Sequence, residues 1–512
     1  MKRDGALHSL WQDTTPGFNG GNSIENKFYD VVIAGGGITG ITTGLLLQQA
    51  GKSVMIAEAH TIGFGTTGGT TAHLNTMMDT PYNLMQQKFG EKDTQLIADA
   101  IARGLALIRN NVESYKIDCG YKELGAYIFS QDDKQSKELE DIFEATRDCG
   151  VAVEWSETLP VPIPFEKVLR FPGQATFHPT RYLNALAEKF IEAGGTLVEN
   201  CRITSVEEGE PHNVTSSRGD CQCRHFVYAT HIPPGVNLLH FRCAPYRSYA
   251  FAAKLANNTA IKPDALVYDL YDPYHYYRTQ EIDGEIYFIA GGEDHKTGNE
   301  TNTDQCFRKL ESYVKNHFEL KEITHKWSSQ YFEPVDGLPY IGNLPGHEEN
   351  MLVATGYGGN GMTYSAVAAL LLTDMILNRE NEYDTIFDPN RIKIVAGFNN
   401  FVKESADVVG KFFKKLIPAE KLPDLTSLAH GEARIVKYEG ERVAIYKDET
   451  GNIYAVSPAC THIKCEVAWN NAERSWDCPC HGSRFSFTGE VLTAPARKDL
   501  SPVEILKEEK VH

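Results

Sequence analysis

The sequence predicts an α/β domain built on a doubly wound parallel sheet, carrying an antiparallel β subdomain and followed by a small all-β domain at the C-terminus. Three observations predict it. Residues 29–58 read as strand, glycine turn, helix and strand (DVVIA, GGGITG, ITTGLLLQQA, SVMIAE), the βαβ unit that opens a parallel sheet. From Ala244, short alternating runs rich in tyrosine (YRSYAFAAKL, LVYDLYDPYHYYRTQ, GEIYFIAGG) suit an antiparallel sheet with one buried face. Past residue 420, new strand signals surround four closely spaced cysteines.

The elements follow in order. Residues 1–28 carry Gly, Asn, Asp and Ser without periodicity and read as an arm laid over the surface, with no catalytic role. The main domain spans 29–390, with a helical region at 81–116. An amphipathic helix from Pro179 ends in paired glycines, and strands follow in GTLVENCRITSV. The antiparallel subdomain, about 244–330, is taken as the substrate side. Residues 391–425 form a helical linker whose Phe398, Phe401, Phe412 and Phe413 stand beside lysines, a pattern suited to packing between domains ahead of a membrane or partner. The small β domain occupies 426–512.

Size and charge bound the function. At 512 residues the chain needs more than one core. A formal charge of −18 excludes a nucleic-acid surface, whose affinity comes from clustered Lys and Arg. No apolar run follows the N-terminal lysine and arginine, so no secretory signal is read and a cytoplasmic location is expected. The most apolar helical run, Ala366 to Leu377, is about 12 residues against the ~20 that a bilayer requires, so no transmembrane segment is expected. Seven cysteines from Cys119 to Cys306 lack ligand spacing and read as buried thiols.

Gly35, Gly37 and Gly40 satisfy G-x-G-x-x-G between a strand and a helix, where glycines let the backbone approach a pyrophosphate at the helix N-terminus. Glu58 ends the second strand, placed to accept from an adenosine ribose. Both features fit FAD and NAD equally.

Together with that motif, GFGTTGGTTAHLN (63–75), FHPTRYLNAL (177–186), DGLPYIG and ATGYGGNGMTYS resemble the D-amino acid oxidase and glycine/sarcosine oxidase family over roughly residues 29–385. The resemblance implies a Rossmann-like FAD-binding domain in which Gly65, Thr66 and Thr67 run beside the pyrophosphate and flavin. It also implies that the loop holding Gly358, Gly359, Asn360, Gly361 and Met362 approaches the isoalloxazine ring. His231 stands where that family commonly has Gly, and Tyr331 where relatives often have Arg upstream of Asp336. Both departures count against amino-acid oxidation. His73 reads as a buried histidine and the FAD as noncovalently held.

Cys460-Thr-His462 and Cys478-Pro-Cys-His481 supply two thiolates and two imidazoles, a donor set that also occurs in zinc sites. Their paired spacing resembles Rieske proteins, which implies a [2Fe-2S] cluster with Cys460 and Cys478 on one iron and His462 and His481 on the other. In Rieske proteins of the cytochrome bc type, positions equivalent to Cys465 and Cys480 form a disulfide between the cluster loops. Ser483 stands where high-potential relatives have a serine. Phe485 replaces a tyrosine that donates to the cluster, so a lower reduction potential is expected.

These readings make the chain a flavin-dependent oxidoreductase that oxidises a small organic substrate, an amine or amino-acid derivative. Electrons would pass singly through the cluster to an acceptor, protein or quinone. The alternative is an electron-transfer or redox-sensing protein without turnover. A Rieske oxygenase would need a two-histidine, one-carboxylate iron site, and no such array is visible. Tyr249, His275 and Arg278 are the expected catalytic groups, drawn from a wider set of Tyr246, Arg247, Tyr274, Glu293 and His295.

Overall fold

Phe28–Ala34 is buried on both faces, Val31 and Ile33 in the core with the helices and Tyr29, Val32 and Ala34 in a second cluster with Val214, Ile232 and Phe332. It pairs in parallel with Val54–Ala57 and with Gly219–Tyr228. The structure, a computed structural model, describes residues 3–21, 23–24, 27–256, 265–391, 420–421, 428–438 and 440–505. Across the first sheet the order is Tyr340–Asn343, Met351–Thr355, Gly219–Tyr228, Phe28–Ala34, Val54–Ala57, Thr196–Val198. Of these six all but Tyr340–Asn343 run parallel, and two further strands, His212–Ser216 and Ile203–Glu207, extend antiparallel from Gly219–Tyr228. Chain order reverses beside Phe28–Ala34, so the glycine turn at its C-terminal end opens on the crevice where doubly wound sheets bind ligands. Helix Ile38–Gln49 packs between Gly361–Ile376 and Pro179–Glu192 and is buried on almost every side. That burial explains why its sequence shows little amphipathic pattern.

A second sheet of nine strands faces the first domain's crevice. Its order is Leu320–Pro334, Cys243–Leu255, Glu285–Lys296, His275–Ile282, Ala265–Tyr268, Lys122–Ser130, Lys167–Thr176, His73–Leu74, with Glu154–Ser156 on Lys167–Thr176. It is antiparallel except where Ala265–Tyr268 meets Lys122–Ser130. The sheet therefore recruits strands well before residue 244, where the sequence shows its tyrosine-rich runs.

The C-terminal domain stacks two four-stranded sheets. The first holds Glu420–Lys421, Ala433–Tyr438, Glu441–Lys447 and Ile453–Val456. Ala468–Asn470, Ser475–Asp477, Arg484–Ser486 and Val491–Thr493 form the second. The first sheet begins at Glu420. The amphipathic run expected from Ile392 to Leu416 lies outside the described residues. Among the described residues no helix is long and apolar enough to cross a membrane.

The N-terminal segment differs from a surface arm. Ser9 and Gln12 form a capping box on the short helix Leu10–Asp13, whose Leu10 and Trp11 are fully buried. Each of these two side chains contributes on the order of 2–3 kcal/mol of apolar burial. Trp11 Nε1 donates to Thr70 O at 2.6 Å. Ahead of the helix, Arg3 and Asp4 enter a buried ionic cluster. Arg3 pairs with Asp4 (3.1 Å) and Glu473 (3.3 Å), and Arg484 pairs with Asp4 and Asp477 (3.0 Å each). Arg247 reaches Asp477 at 3.4 Å. Three arginines, one each from the N-terminal segment, the antiparallel sheet and the C-terminal domain, thus balance the carboxylates of Asp4, Glu473 and Asp477.

Candidate functional site

A cavity of about 310 Å³ runs from the glycine turn, along the C-terminal edge of the parallel sheet, to the face of the antiparallel sheet. At the turn, Gly35 takes φ +112°, and a Cβ at Gly40 would stand 2.0 Å from Gly35 O. Gly40 does not line the cavity. It lets helix Ile38–Gln49 close on the turn, whereas Gly35 and Gly37 line the cavity itself. Gly40→Ala is expected to push helix from turn and abolish dinucleotide retention, read as the loss of flavin absorbance in the purified protein.

Glu58 lines the same end. Its carboxylate accepts from Gly36 N at 2.7 Å and His60 N at 2.8 Å, while burial pushes its pKa up. Further along, Gly65, Thr66 and Thr67 form one wall, and Gly358, Gly359, Asn360, Gly361 and Met362 form another. That second group enters helix Gly361–Ile376, whose first turn has no side-chain cap and so presents free amides.

The three side chains expected to be catalytic do not line this cavity. Tyr249 hydrogen-bonds His295 at 2.9 Å and packs its ring on Phe307. His275 stacks on Tyr313, with Nδ1 2.9 Å from Asp269 and Nε2 3.5 Å from Glu293. Burial would lower its pKa, but the two carboxylates prevail and raise it to about 9. Arg278 is buried and donates to the carbonyls of Thr71 (2.8 Å) and Ala72 (2.6 Å), holding the segment that forms the cavity wall. Arg247 is spent in the ionic cluster.

For Tyr249 and His275, neighbours on their own strands point the other way, and Ser248, Tyr274, Tyr276 and Asp294 line the cavity with Tyr268 and Tyr331. Arg278 shares the phase of Tyr274 and Tyr276 but is turned onto the Thr71 and Ala72 carbonyls. Tyr331 donates to Asp294 Oδ2 at 2.9 Å, while Asp294 Oδ1 is buried without a hydrogen-bond partner. Burial raises the Asp294 pKa to about 7. Asp79, exposed to the cavity, accepts from Gly359 N at 2.8 Å, and the protein packed around it raises its pKa. His231, the departure noted at the strand end, takes φ +70° and lies 3.3 Å from Thr66 Oγ1.

In the C-terminal domain, two loops bring Cys460 and His462 against Cys478 and His481. The imidazoles lie 5.0 Å apart between centroids, and all four ring nitrogens are buried without partners. Buried nitrogens of that kind are costly unless something ligates them, and two thiols beside two imidazoles is the donor set of a mixed-ligand two-iron cluster. Cys465 and Cys480 form the disulfide that ties the loops, and their sulfurs lie within 4.8 Å of Cys478 Sγ. Phe485 is fully buried in the core around these loops. The seven scattered cysteines are buried free thiols.

The profile of the FAD dependent oxidoreductase family matches residues 30–375, and that of the Rieske [2Fe-2S] domain matches 420–505. The chain belongs to the FAD-dependent oxidoreductase family. It is 34% identical over 486 residues to Bacillus subtilis (strain 168) YhfW, described as a Rieske 2Fe-2S iron-sulfur protein, covering 94% of each chain. It is 23% identical over 377 residues to gamma-glutamylputrescine oxidoreductase of Escherichia coli (strain K12), covering 70% of this chain and 86% of that one. The fold matches glycine oxidase from Geobacillus kaustophilus with a TM-score of 0.60 at 19% identity, over 72% of this chain and 100% of that one.

In this FAD-dependent oxidoreductase the two sites share a wall. Gln330 lines the flavin cavity and donates from Nε2 to Gly482 O at 2.8 Å, next to His481. Gly482 has φ +76°, and a Cβ there would lie 2.7 Å from Pro245, so the cluster loop is pressed onto the antiparallel sheet. His240 stands 4.8 Å from the His462 ring, and Phe241 5.3 Å from that of His481. At the other end of the cavity, Leu492, Thr493 and Arg497 of the Rieske domain complete the lining.

Proposed function

We propose that the protein is a dehydrogenase that takes two electrons from a small amine or amino-acid-like substrate and delivers them one at a time to a protein or quinone acceptor. When bound, FAD supplies the two-electron acceptor and the [2Fe-2S] cluster the one-electron outlet, at a potential of roughly −150 to +300 mV for Rieske centres. The glycine turn and Glu58 would hold the dinucleotide, Thr66, Thr67 and the Gly358–Met362 loop its ring end. Cys460 and Cys478 would hold one iron, His462 and His481 the other. The observation that carries this reading is Gln330, one side chain that both lines the flavin cavity and hydrogen-bonds the cluster loop. Such proximity suits passage of electrons between the two centres.

The test is anaerobic. Candidate amines and amino acids are added to the purified holoprotein while the flavin band and the cluster EPR signal are followed together. Sequential loss of the flavin band and rise of the reduced-cluster signal is expected. A cluster that stays oxidised beside a bleached flavin would sink the relay.

A further inference from the structure

We propose that the ring end of the flavin cavity binds its substrate as an alkylammonium cation through Asp294 and Asp79, and that no substrate carboxylate is needed. This narrows the amine-dehydrogenase reading above and rests on it for the location of the reacting substrate.

The charge lining the cavity carries the argument. Among the described residues its only arginines are Arg202 and Arg497, and it has no lysine. Arg202 lies beside His60 (3.2 Å) and Val491 O (3.1 Å), and Arg497 donates to Pro234 O at 3.0 Å. Arg202 acts on Glu58 and Arg497 on Tyr228, and neither is among the charges acting on Asp294 or Asp79. Arg247 and Arg278, the cations nearest in sequence to the substrate sheet, are committed elsewhere: one in the ionic cluster, the other on backbone carbonyls. A substrate carboxylate would therefore meet two acids and no cation.

A cation meets the opposite situation. Asp294 holds one oxygen on Tyr331 and keeps the other buried with only the Ser248 hydroxyl close by, an arrangement that leaves capacity for a further donor. Asp79 lies at the same end, bonded to the Gly359 amide, with the Tyr274 hydroxyl beside Gly359. Tyr274 and Tyr276, 5.7 Å apart, add ring faces that attract an ammonium group. The groups facing Asp294 are Ser248, Tyr274, Tyr276 and Tyr331 as hydroxyls, with Asp79 and Glu333 as acids. None supplies a positive charge, so a bound cation is left to fill that role.

The probe is a cation that cannot be oxidised, butyltrimethylammonium, set against acetate, with binding read from the flavin difference spectrum of the holoprotein. The quaternary cation should bind and acetate should not. Its affinity should rise about tenfold from pH 6 to pH 8, as a carboxyl with a pKa near 7 ionises. Asp294→Asn, nearly the same shape, should weaken the cation by roughly 10- to 100-fold and remove that pH dependence. Asp79→Asn should weaken it while the pH dependence remains. Acetate binding tighter than the cation, or an unchanged affinity in Asp294→Asn with its flavin retained, would overturn the proposal. Cation binding with no amine able to bleach the flavin would instead remove the dehydrogenase reading and leave this site standing.

Discussion

Cys478→Ser is expected to yield a yellow protein that still reduces its flavin with substrate but shows no Rieske EPR signal and no turnover with a one-electron acceptor. Cys478 sits at the centre of the cluster loops, its sulfur grouped with the disulfide and its thiol facing Cys460. A serine hydroxyl stays protonated at neutral pH and is a far poorer ligand for iron than a thiolate. Removing it therefore takes away the outlet while leaving the flavin cavity, which Cys478 does not line, intact. Stopped-flow absorbance with substrate alone, then with acceptor, separates the two half-reactions. Acceptor turnover at the wild-type rate in this variant would refute the relay.

Arg484→Ala should produce the largest loss of stability, about 3–5 kcal/mol, because it leaves buried carboxylates without their counter-charge. Arg484 is fully buried and touches Asp4 and Asp477 at 3.0 Å each. Those acids hold it protonated despite its burial. Denaturant titration of the holoprotein measures the change, and a loss under 1 kcal/mol would mean the cluster is not the clasp it resembles. The pH dependence follows with a definite sign. Burial would raise the carboxyls of Asp4 and Asp477, but the surrounding arginines hold both below the ordinary range. The stability they contribute is thus present above their unfolded pKa of about 3.9 and is lost as pH falls through the lower folded values.

Both cofactor sites were legible because each is written locally. A glycine turn between a strand and a helix, and paired cysteine and histidine at fixed spacing, take their geometry from a few adjacent residues. The substrate face was not legible. Alternation in YHYYRT tells that Tyr274 and Tyr276 share one side and His275 and Tyr277 the other, but both sides carry aromatic and polar groups. Which side meets the ligand is decided by the helix at 303–315 packing on the other face, where Phe307 covers Tyr249 and Tyr313 covers His275. Asp294 and Asp79 gave no signal as lone acids. The N-terminal segment misled for a similar reason. Its polar residues look solvated, yet Arg3 finds Glu473 and Asp4 finds Arg484, partners at the far end of the chain.

That clasp has a bearing on biosynthesis. Arg3 and Asp4 leave the ribosome some 470 residues ahead of Glu473, Asp477 and Arg484, their partners in the ionic cluster. Until those emerge the early arginine and aspartate wait in water, and the segment from Glu473 to Arg484 has no N-terminal partner to hold it. Closure of the seam therefore waits for residue 484 to emerge, and a nascent chain that reaches only residue 472 holds that seam open.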